Sequence, residues 1–229
     1  MVKKRLRGFY RILRIIVCFC LIIVIVPKTY SEAYEISLAE KDAAYRKNTD
    51  TADFGDFKIE SNRTGSGVAV IAIHGGKIET GTTELAYALA SRNNYSYYSF
   101  LGVKLTENYL LHIESDLFDE QIALETVSGS ETTISIHGCA GSKEFTYVGG
   151  RDVEMADKVK DSLIKYGFTV REAPDELAGL SPDNIANKNQ KGAGVQLELS
   201  QGLREQLLIS GVLQNYVLAV SEAVNETTN

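Results

Sequence analysis

Two histidines stand in matching positions of the sequence, each at the end of a predicted strand. His74 follows residues 68–73 and precedes two glycines, and His137 follows residues 132–136 and precedes one glycine. Ligands of open α/β sheets bind beyond the carboxyl ends of the strands, so we expect both imidazoles at one edge of the sheet. Glu79 comes five residues after His74, at the start of a predicted helix. Two imidazoles and one carboxylate leave a tetrahedral position open for water, which is the pattern of a catalytic zinc site.

The competing interpretation of this pattern is that each histidine only ends its strand through hydrogen bonds. One such histidine would favour that interpretation, but two of them with a nearby glutamate favour a metal site. We therefore predict that His74, Glu79 and His137 hold a zinc ion.

A carboxylate in the middle of an apolar strand is the candidate general base. Residues 195–199 alternate, so Gln196 and Glu198 share one face of the strand and the three apolar side chains share the other. A desolvated glutamate beside a metal-bound water can accept a proton from it, and we predict this role for Glu198. The competing interpretation is an edge strand whose polar face is wet.

The remaining candidates for chemistry are a third histidine, a cysteine and three basic residues. His112, in a predicted strand, either contacts substrate, supports a metal ligand, or is a core histidine with satisfied hydrogen bonds. Cys139 lies near His137, but a Cys–His nucleophile is disfavoured because no third orienting residue is evident. The basic residues are candidates for binding substrate carboxylates, and they are Arg151, Lys188 and Arg204.

The elements that must position these residues alternate along the chain. Apolar runs predict strands over residues 68–73, 95–103, 110–114, 132–136, 168–171 and 195–199. Apolar residues at helical spacing predict helices over residues 80–92, 152–166 and 207–224. Residues 34–66 are expected to form an irregular lead-in with one short strand at most, and residues 181–194 a loop. The alternation indicates an α/β sandwich around a mostly parallel or mixed sheet.

The first 33 residues have the composition of a secretory signal peptide. Residues 1–14 hold six Lys or Arg and no acid, residues 15–26 are all apolar, and residues 31–33 form a small-x-small cleavage site. The apolar run is shorter than the about 20 residues that a membrane-spanning helix needs, so cleavage is favoured over an uncleaved N-terminal membrane anchor. We expect a secreted protein, with residues 1–33 as the signal peptide and residues 34–229 as one domain.

Charge and cysteine content restrict the partners and the source of stability. Without residues 1–33 the chain carries 17 Lys or Arg against 29 Asp or Glu, a formal charge of −12. Such a surface disfavours nucleic acid and anionic lipid. Only Cys139 then remains, so stability must come from one sizeable core rather than from an intramolecular disulfide. We expect a monomer.

Several blocks of the sequence together resemble the poly-γ-glutamate hydrolases of Bacillus and its phages. In the family's order they are IHGGKIETGTTELA (73–86), YYSF (97–100), LHIES (111–115), FDE (118–120), SIHG (135–138), VGGR (148–151), NIAN (184–187), GVQLELS (194–200) and GLR (202–204). The resemblance is specific because the blocks are many and collinear. Three positions depart from the pattern, with Gln121 in place of Pro, Ala186 in place of Cys and Lys188 in place of Arg. Lysine offers a substrate carboxylate a point charge rather than the bidentate fork of arginine.

The resemblance implies a fold, a cofactor and a substrate. The fold would be a three-layer α/β/α sandwich with a mixed central sheet, similar to zinc carboxypeptidases. The cofactor would be Zn2+ at the positions of His74, Glu79 and His137, with Glu198 as the general base. Because substrates of the family are γ-linked glutamate polymers cut internally, the expected partner is poly-γ-glutamate or a related γ-glutamyl polymer.

Two other functions stay open at this point. One is a cell-wall peptidase that cuts the γ-D-glutamyl link of a stem peptide, and the other is a non-catalytic poly-γ-glutamate binding protein that keeps the fold. A binding protein would be expected to lack a metal ligand or the base, and the sequence retains them all. The acidic surface disfavours a polyanionic substrate unless the cleft itself is basic.

Overall fold

An eight-stranded mixed sheet is the centre of the computed structural model, which describes residues 34–209 and 211–228. The predicted signal segment, residues 1–33, lies outside the described residues. The chain divides into two units, residues 1–44 and residues 45–229. In the first unit residues 34–44 are helical, and this helix, α1, ends at residue 47.

The regular elements after α1 follow one another with short connections. The strands are β1 (Asp50–Asp53), β2 (Phe57–Asn62), β3 (Val68–Gly76), β4 (Ser96–Gly102), β5 (Thr132–Cys139), β6 (Thr146–Gly150), β7 (Val170–Glu172) and β8 (Val195–Ser200). The helices are α2 (Thr82–Asn93), α3 (Gln121–Ser128), α4 (Val153–Lys165), α5 (Gln201–Leu207) and α6 (Val212–Thr228). Short 3-10 helices cover Asn108–Leu111, Asp175–Leu177 and Ile185–Asn187.

The order of the strands brings the candidate residues to one edge of the sheet. The order is β1-β2-β4-β3-β5-β8-β6-β7. The neighbours β4, β3, β5 and β8 run parallel, whereas β1 with β2, β2 with β4, and β6 with β8 are antiparallel pairs. Because parallel strands end at the same edge, the carboxyl ends of β3 and β5 lie side by side.

Helices cover both faces of this sheet. On one face alternate residues of β3, β5 and β8, such as Val70, Ile136 and Leu197, form a core with α2, α4 and α6. On the other face Ile71 and Tyr98 pack in a smaller cluster with α3. The predicted three-layer α/β/α sandwich with a mixed central sheet is thereby confirmed. Among the described helices no single one is long and apolar enough to cross a membrane, and only the bent pair of α5 and α6 reaches that length and composition together.

Most of the predicted elements are confirmed, but two are wrong. Residues 110–114 were expected as a strand, yet the chain forms a 3-10 helix over Asn108–Leu111 and then crosses the edge of the sheet. Leu110 and Ile113 remain exposed there, so these side chains have no sheet face against which to pack. The start predicted for the helix over 207–224 is also wrong: Leu207 ends α5, and the expected helix begins only at Val212, as α6, because Gly211 has a φ of 98° that no right-handed helix contains.

The expected irregular lead-in contains more structure than the sequence indicated. Residues 34–66 include α1 and the antiparallel pair β1–β2, which extends the sheet beyond β4. Both strands are short and mostly polar, and β1 is largely exposed. Apolar periodicity is therefore absent from them, although every residue of both strands is paired with a neighbouring strand.

Candidate metal centre and active site

The two strand-terminal histidines meet at the carboxyl edge of the sheet. His74 near the end of β3 and His137 in β5 are both buried, and their Nδ1 atoms are 3.1 Å apart. The pairing of β3 with β4 slips between Ala72 and Gly75. Such a bulge re-aims a side chain, which explains how His74 comes to face His137 although its even-numbered neighbours on β3 face the core of α2, α4 and α6.

The outer nitrogen of each imidazole has a partner that fixes the ring. His74 Nε2 lies 2.8 Å from the carbonyl oxygen of Ile113, which can only accept, so this nitrogen carries the proton. His137 Nε2 lies 2.9 Å from the hydroxyl of Ser135. A proton on the outer nitrogen leaves the Nδ1 lone pair of a neutral imidazole available to a metal ion.

Glu79 completes the cluster from a tight turn rather than from the helix predicted for it. Its backbone N–H donates to the carbonyl oxygen of His74 over 2.9 Å, and α2 begins three residues later at Thr82. The N–H of Gly138 donates to Glu79 Oε2 over 2.7 Å. The other oxygen, Oε1, is then left 3.2 Å from His74 Nδ1 and 3.5 Å from His112 Nε2.

Gly138 is required by this close approach of chain segments. A Cβ at residue 138 would stand 3.0 Å from Glu79 Cβ and 2.5 Å from Arg204 Nε. Both are closer than ordinary van der Waals contact, so the glycine after His137 lets its backbone N–H reach the carboxylate of Glu79.

These donors suit a tetrahedral metal ion. Ligand atoms about 2.0–2.1 Å from a zinc ion lie about 3.3 Å from one another in a tetrahedron. His74 Nδ1 is 3.1 Å from His137 Nδ1 and 3.2 Å from Glu79 Oε1, and both separations are close to that value. Imidazole nitrogen with carboxylate oxygen is a donor set that zinc accepts. Among the described residues, one set of donor atoms lies within 4.8 Å of one another, and it consists of His74, Glu79 and His112.

The protonation of the cluster also fits metal binding. Burial, with a smaller contribution from the nearby His74, lowers the pKa of His137 to about 3, so this ring is neutral. Burial alone would raise the pKa of Glu79, but the hydrogen bond from His112 and the nearby imidazole of His74 outweigh it and hold the pKa well below its usual range. The hydrogen bond to Glu79 raises the pKa of His112.

Glu198 lies on the strand next to His137, with its carboxylate in the same cleft. The two residues are paired across β5 and β8, and Glu198 is only 4% exposed. Burial, then the negative charge of Glu79, raise the pKa of Glu198 to about 8, while a hydrogen bond from Gln196 opposes the shift. The alternative of a wet edge strand is wrong, because β8 is an inner strand between β5 and β6.

A cleft of about 540 Å³ opens above this cluster. His74, Glu79, His112, His137 and Glu198 all contribute to its wall. The acidic residues of its wall include Glu114, Asp116, Asp175 and Glu176, and the rest of the wall is apolar or neutral and polar, as at Leu117, Leu180 and Ser181. No Lys or Arg is among the described residues that line it, so the cleft is not the basic one that the sequence left open.

The three basic candidates lie elsewhere. Arg204 extends beneath the cluster, where its guanidinium donates to the carbonyl oxygens of Leu199, Thr80 and Cys139. Lys188 forms an ion pair with Asp183 at 2.9 Å, and Arg151 is exposed. A role for these side chains in binding substrate stays a prediction that the geometry of the cleft does not favour.

Cys139 has no sign of nucleophilic activation. Burial, then the charge of Glu198, raise the pKa of its thiol to about 11. Its sulfur lies 3.8 Å from the carbonyl oxygen of Glu198 and does not line the cleft.

Sequence reasoning missed the position of His112 beside the other two histidines. Its ring stacks on that of His74, with ring centroids 3.7 Å apart. The residue was assigned to a strand, and a strand over 110–114 would not have carried it across the sheet edge. The LHIES block, which includes both His112 and the Ile113 carbonyl that holds His74, was the signal that could have indicated it.

A cluster of imidazoles and carboxylates at the edge of a mixed sheet, with a buried glutamate beside it, is typical of hydrolases that use a metal ion. The family model described as poly-gamma-glutamate hydrolase matches residues 44–221 of this chain. The Bacillus subtilis (strain 168) protein YndL is 34% identical over 229 residues, covering 99% of this chain and 87% of YndL. YmaC of the same organism is 36% identical over 182 residues, covering 78% of this chain and 72% of YmaC.

Solved structures agree with this assignment. A bacteriophage poly-gamma-glutamate hydrolase superposes with a TM-score of 0.74 at 29% identity, covering 77% of this chain and 92% of that one. A zinc-free apo form of YndL superposes with a TM-score of 0.73 at 34% identity, covering 78% of this chain and 94% of that one. The chain belongs to the poly-gamma-glutamate hydrolase family, and the resemblance seen in its motifs is confirmed.

Proposed function

We propose that this protein is a zinc-dependent hydrolase that cuts γ-glutamyl amide bonds within poly-γ-glutamate. The observation that carries the proposal is the convergence of three imidazoles, the Glu79 carboxylate and the buried Glu198 in one cleft of a chain from this family. Family membership supports hydrolysis of γ-glutamyl bonds. The zinc ion, the roles of individual residues and the site of action are our proposal.

His74, Glu79 and His137 would hold the zinc ion. The Nδ1 atoms of the two histidines are 3.1 Å apart, and the Ile113 carbonyl and the Ser135 hydroxyl bind the outer nitrogens. When bound, zinc supplies a Lewis acid that polarises the scissile carbonyl and makes water more acidic. His112 is more exposed and donates to Glu79, so we assign it to orienting this carboxylate and to contacting substrate.

Glu198 would move the proton that hydrolysis requires. Its carboxylate accepts a proton from the attacking water and delivers it to the nitrogen of the leaving amine, so that the amide bond breaks without releasing an amide anion. The pKa of about 8 lies near neutral pH, where a carboxyl group can both accept a proton and release it again.

We also propose that the protein acts outside the cell, since residues 1–33 have the composition of a signal peptide. A highly charged polymer does not cross a membrane unaided, so poly-γ-glutamate outside the cell would be cut only by an exported enzyme.

One observation favours a second candidate, a cell-wall peptidase that cuts the γ-D-glutamyl link of a stem peptide. The cleft has Glu114, Asp116, Asp175 and Glu176 in its wall and, among the described lining residues, no cation. These carboxylates repel the polyanionic polymer and would attract an ammonium group of a diamino acid beside the scissile bond. Both candidate functions would use the same metal ligands and the same base. They differ in the charged group of the substrate next to the scissile amide, which is a carboxylate in the polymer and an ammonium group in the stem peptide.

Cleavage assays on γ-linked polyglutamate, α-linked polyglutamate and cell-wall fragments distinguish the two candidate functions from a general metallopeptidase. In poly-γ-glutamate a carboxylate is attached to the carbon next to the amide nitrogen, whereas in poly-α-glutamate it ends the side chain. The purified protein with zinc is expected to shorten the γ-polymer and to leave the α-polymer intact at equal concentration, as size-exclusion chromatography would show. Equal cleavage of both polymers would reduce the assignment to a general metallopeptidase. Cleavage of purified cell-wall fragments alone would establish the second candidate.

A further inference from the structure

Two buried amides lie behind Glu198 and contact it in series. Gln196 Nε2 donates to Glu198 Oε1 over 2.9 Å, and Asn184 Nδ2 donates to Gln196 Oε1 over 2.8 Å. All three side chains are at most 5% exposed. Gln196 and Glu198 share one face of β8, and Asn184 precedes the 3-10 helix Ile185–Asn187.

The backbone determines the direction of this series. The N–H of Ala186 donates to Asn184 Oδ1 over 2.9 Å, so the Asn184 amide must turn its Nδ2 towards Gln196. Gln196 must then present its oxygen to Asn184 and its Nε2 to Glu198. The carboxylate therefore receives a donor that cannot rotate into an acceptor without breaking the hydrogen bonds behind it.

The same amide joins the base to the wall of the cleft. Gln196 Nε2 also donates to the carbonyl oxygen of Leu177 over 3.2 Å, and Leu177 ends the 3-10 helix whose residues line the cleft. Gly179 in this wall has a φ of 64°, and a Cβ there would stand 2.8 Å from Gln196 Oε1. The wall is thus shaped to pack directly on the Gln196 side chain.

We propose that Gln196 is the positioning residue of Glu198: oriented by Asn184, its amide holds one carboxylate oxygen and leaves the other, Oε2, for the proton transfer in the cleft. Oε2 has no hydrogen bond from any described residue, while Oε1 is held. This inference rests on the proposed function, in which Glu198 is the base.

The test replaces the donor without changing its size. Gln196→Met removes the N–H groups that reach Glu198 and Leu177 without placing a second carboxyl beside Glu198. We expect kcat on poly-γ-glutamate to fall by about 10- to 100-fold, as for a lost hydrogen bond to a charged group, with KM and zinc content little changed. Gln201→Met is the matched control, because Gln201 makes the same amide-to-carboxylate hydrogen bond, to Glu205 on the exposed face of α5. The control is expected to keep full activity.

A second variant and a readout without turnover keep the test decisive. Asn184→Asp keeps the acceptor for Ala186 but removes the donor that orients Gln196, and it should lower kcat by about 3- to 10-fold; it decides the question if Gln196→Met does not fold. Folded variants with unchanged kcat would overturn the proposal. In crystal structures of wild type and Gln196→Met, Glu198 should shift in the variant, and an unmoved Glu198 would also overturn the proposal. If wild type is inactive on the polymer but Glu198 shifts, the proposed function fails while the positioning role stands.

Discussion

Glu198→Gln is expected to remove most of the turnover and to leave the metal in place. The carboxamide has nearly the same shape but cannot accept a proton from water, so kcat on poly-γ-glutamate should fall by about 10²- to 10⁴-fold. Zinc content should stay near that of wild type, because Glu198 is not one of the proposed ligands. Steady-state kinetics and elemental analysis of the same preparations measure both quantities.

The matched control for this variant is Glu125→Gln. Glu125 is half exposed and pairs with Arg63 at 2.7 Å on the surface of α3, so the same exchange there should change kcat by less than about twofold. Near-normal turnover of Glu198→Gln would show that the base lies elsewhere and that the proposed proton transfer is wrong.

His137→Ala and His112→Ala are expected to differ in the metal that they retain. His137 is a proposed ligand, and its loss should weaken zinc binding by more than about 100-fold, beyond the effect of removing a group that only supports a ligand. The variant should therefore lose zinc to a competing chelator together with all measurable hydrolysis. His112→Ala should retain about one zinc per chain, as a site with three protein ligands does.

Competition titration with a chromophoric chelator measures the zinc affinity of both variants against wild type. The alternative ligand set is His74, Glu79 and His112, whose donor atoms all lie within 4.8 Å of one another. Zinc loss from His112→Ala with retention in His137→Ala would establish that set and contradict ours. A calorimetric unfolding transition for each apo variant shows whether zinc loss reflects the site or the fold.

The sequence predicted the parts of the fold whose apolar pattern is local. Residues 68–73 are a continuous apolar run because β3 is buried on both faces between two helical layers, so the side chains on both faces of the strand are apolar. β6 was missed because two of its five residues are glycines, which weaken a strand signal. Those glycines are needed because Ala178 and Gly194 carbonyl oxygens approach within 2.5 and 2.1 Å of where their Cβ atoms would lie.

The candidate site was predictable where a strand ends on its functional residue. His74 and His137 each follow an apolar strand, and the alternation along β8 assigns Glu198 to the face of Gln196. The bulge in β3 that turns His74 toward His137 has no signal in the sequence. His112 and Arg204 depend on contacts that are distant in sequence. His112 reaches the cluster in an irregular connection, and Arg204 donates to carbonyl oxygens as far away as Thr80. No local pattern distinguishes a guanidinium that binds substrate from one that binds the backbone.

The acidic wall of the cleft could not be predicted either, since Glu114 and Asp175 are separated by 61 residues and meet only in the folded chain. A negative net charge was visible in the composition, but its distribution was not. The acidic wall favours a substrate with a cationic group, whereas family membership favours the polyanionic poly-γ-glutamate.

The chain length of poly-γ-glutamate, followed with and without zinc, tests the central claim most directly. The purified protein is incubated with the polymer in three states: loaded with zinc, after removal of the metal by a chelator, and after zinc is returned. We predict that the polymer shortens to oligomers in the first state, keeps its length in the second and shortens again in the third. Shortening at full rate by protein from which elemental analysis finds no metal would contradict the account, as would an unchanged polymer in the presence of bound zinc.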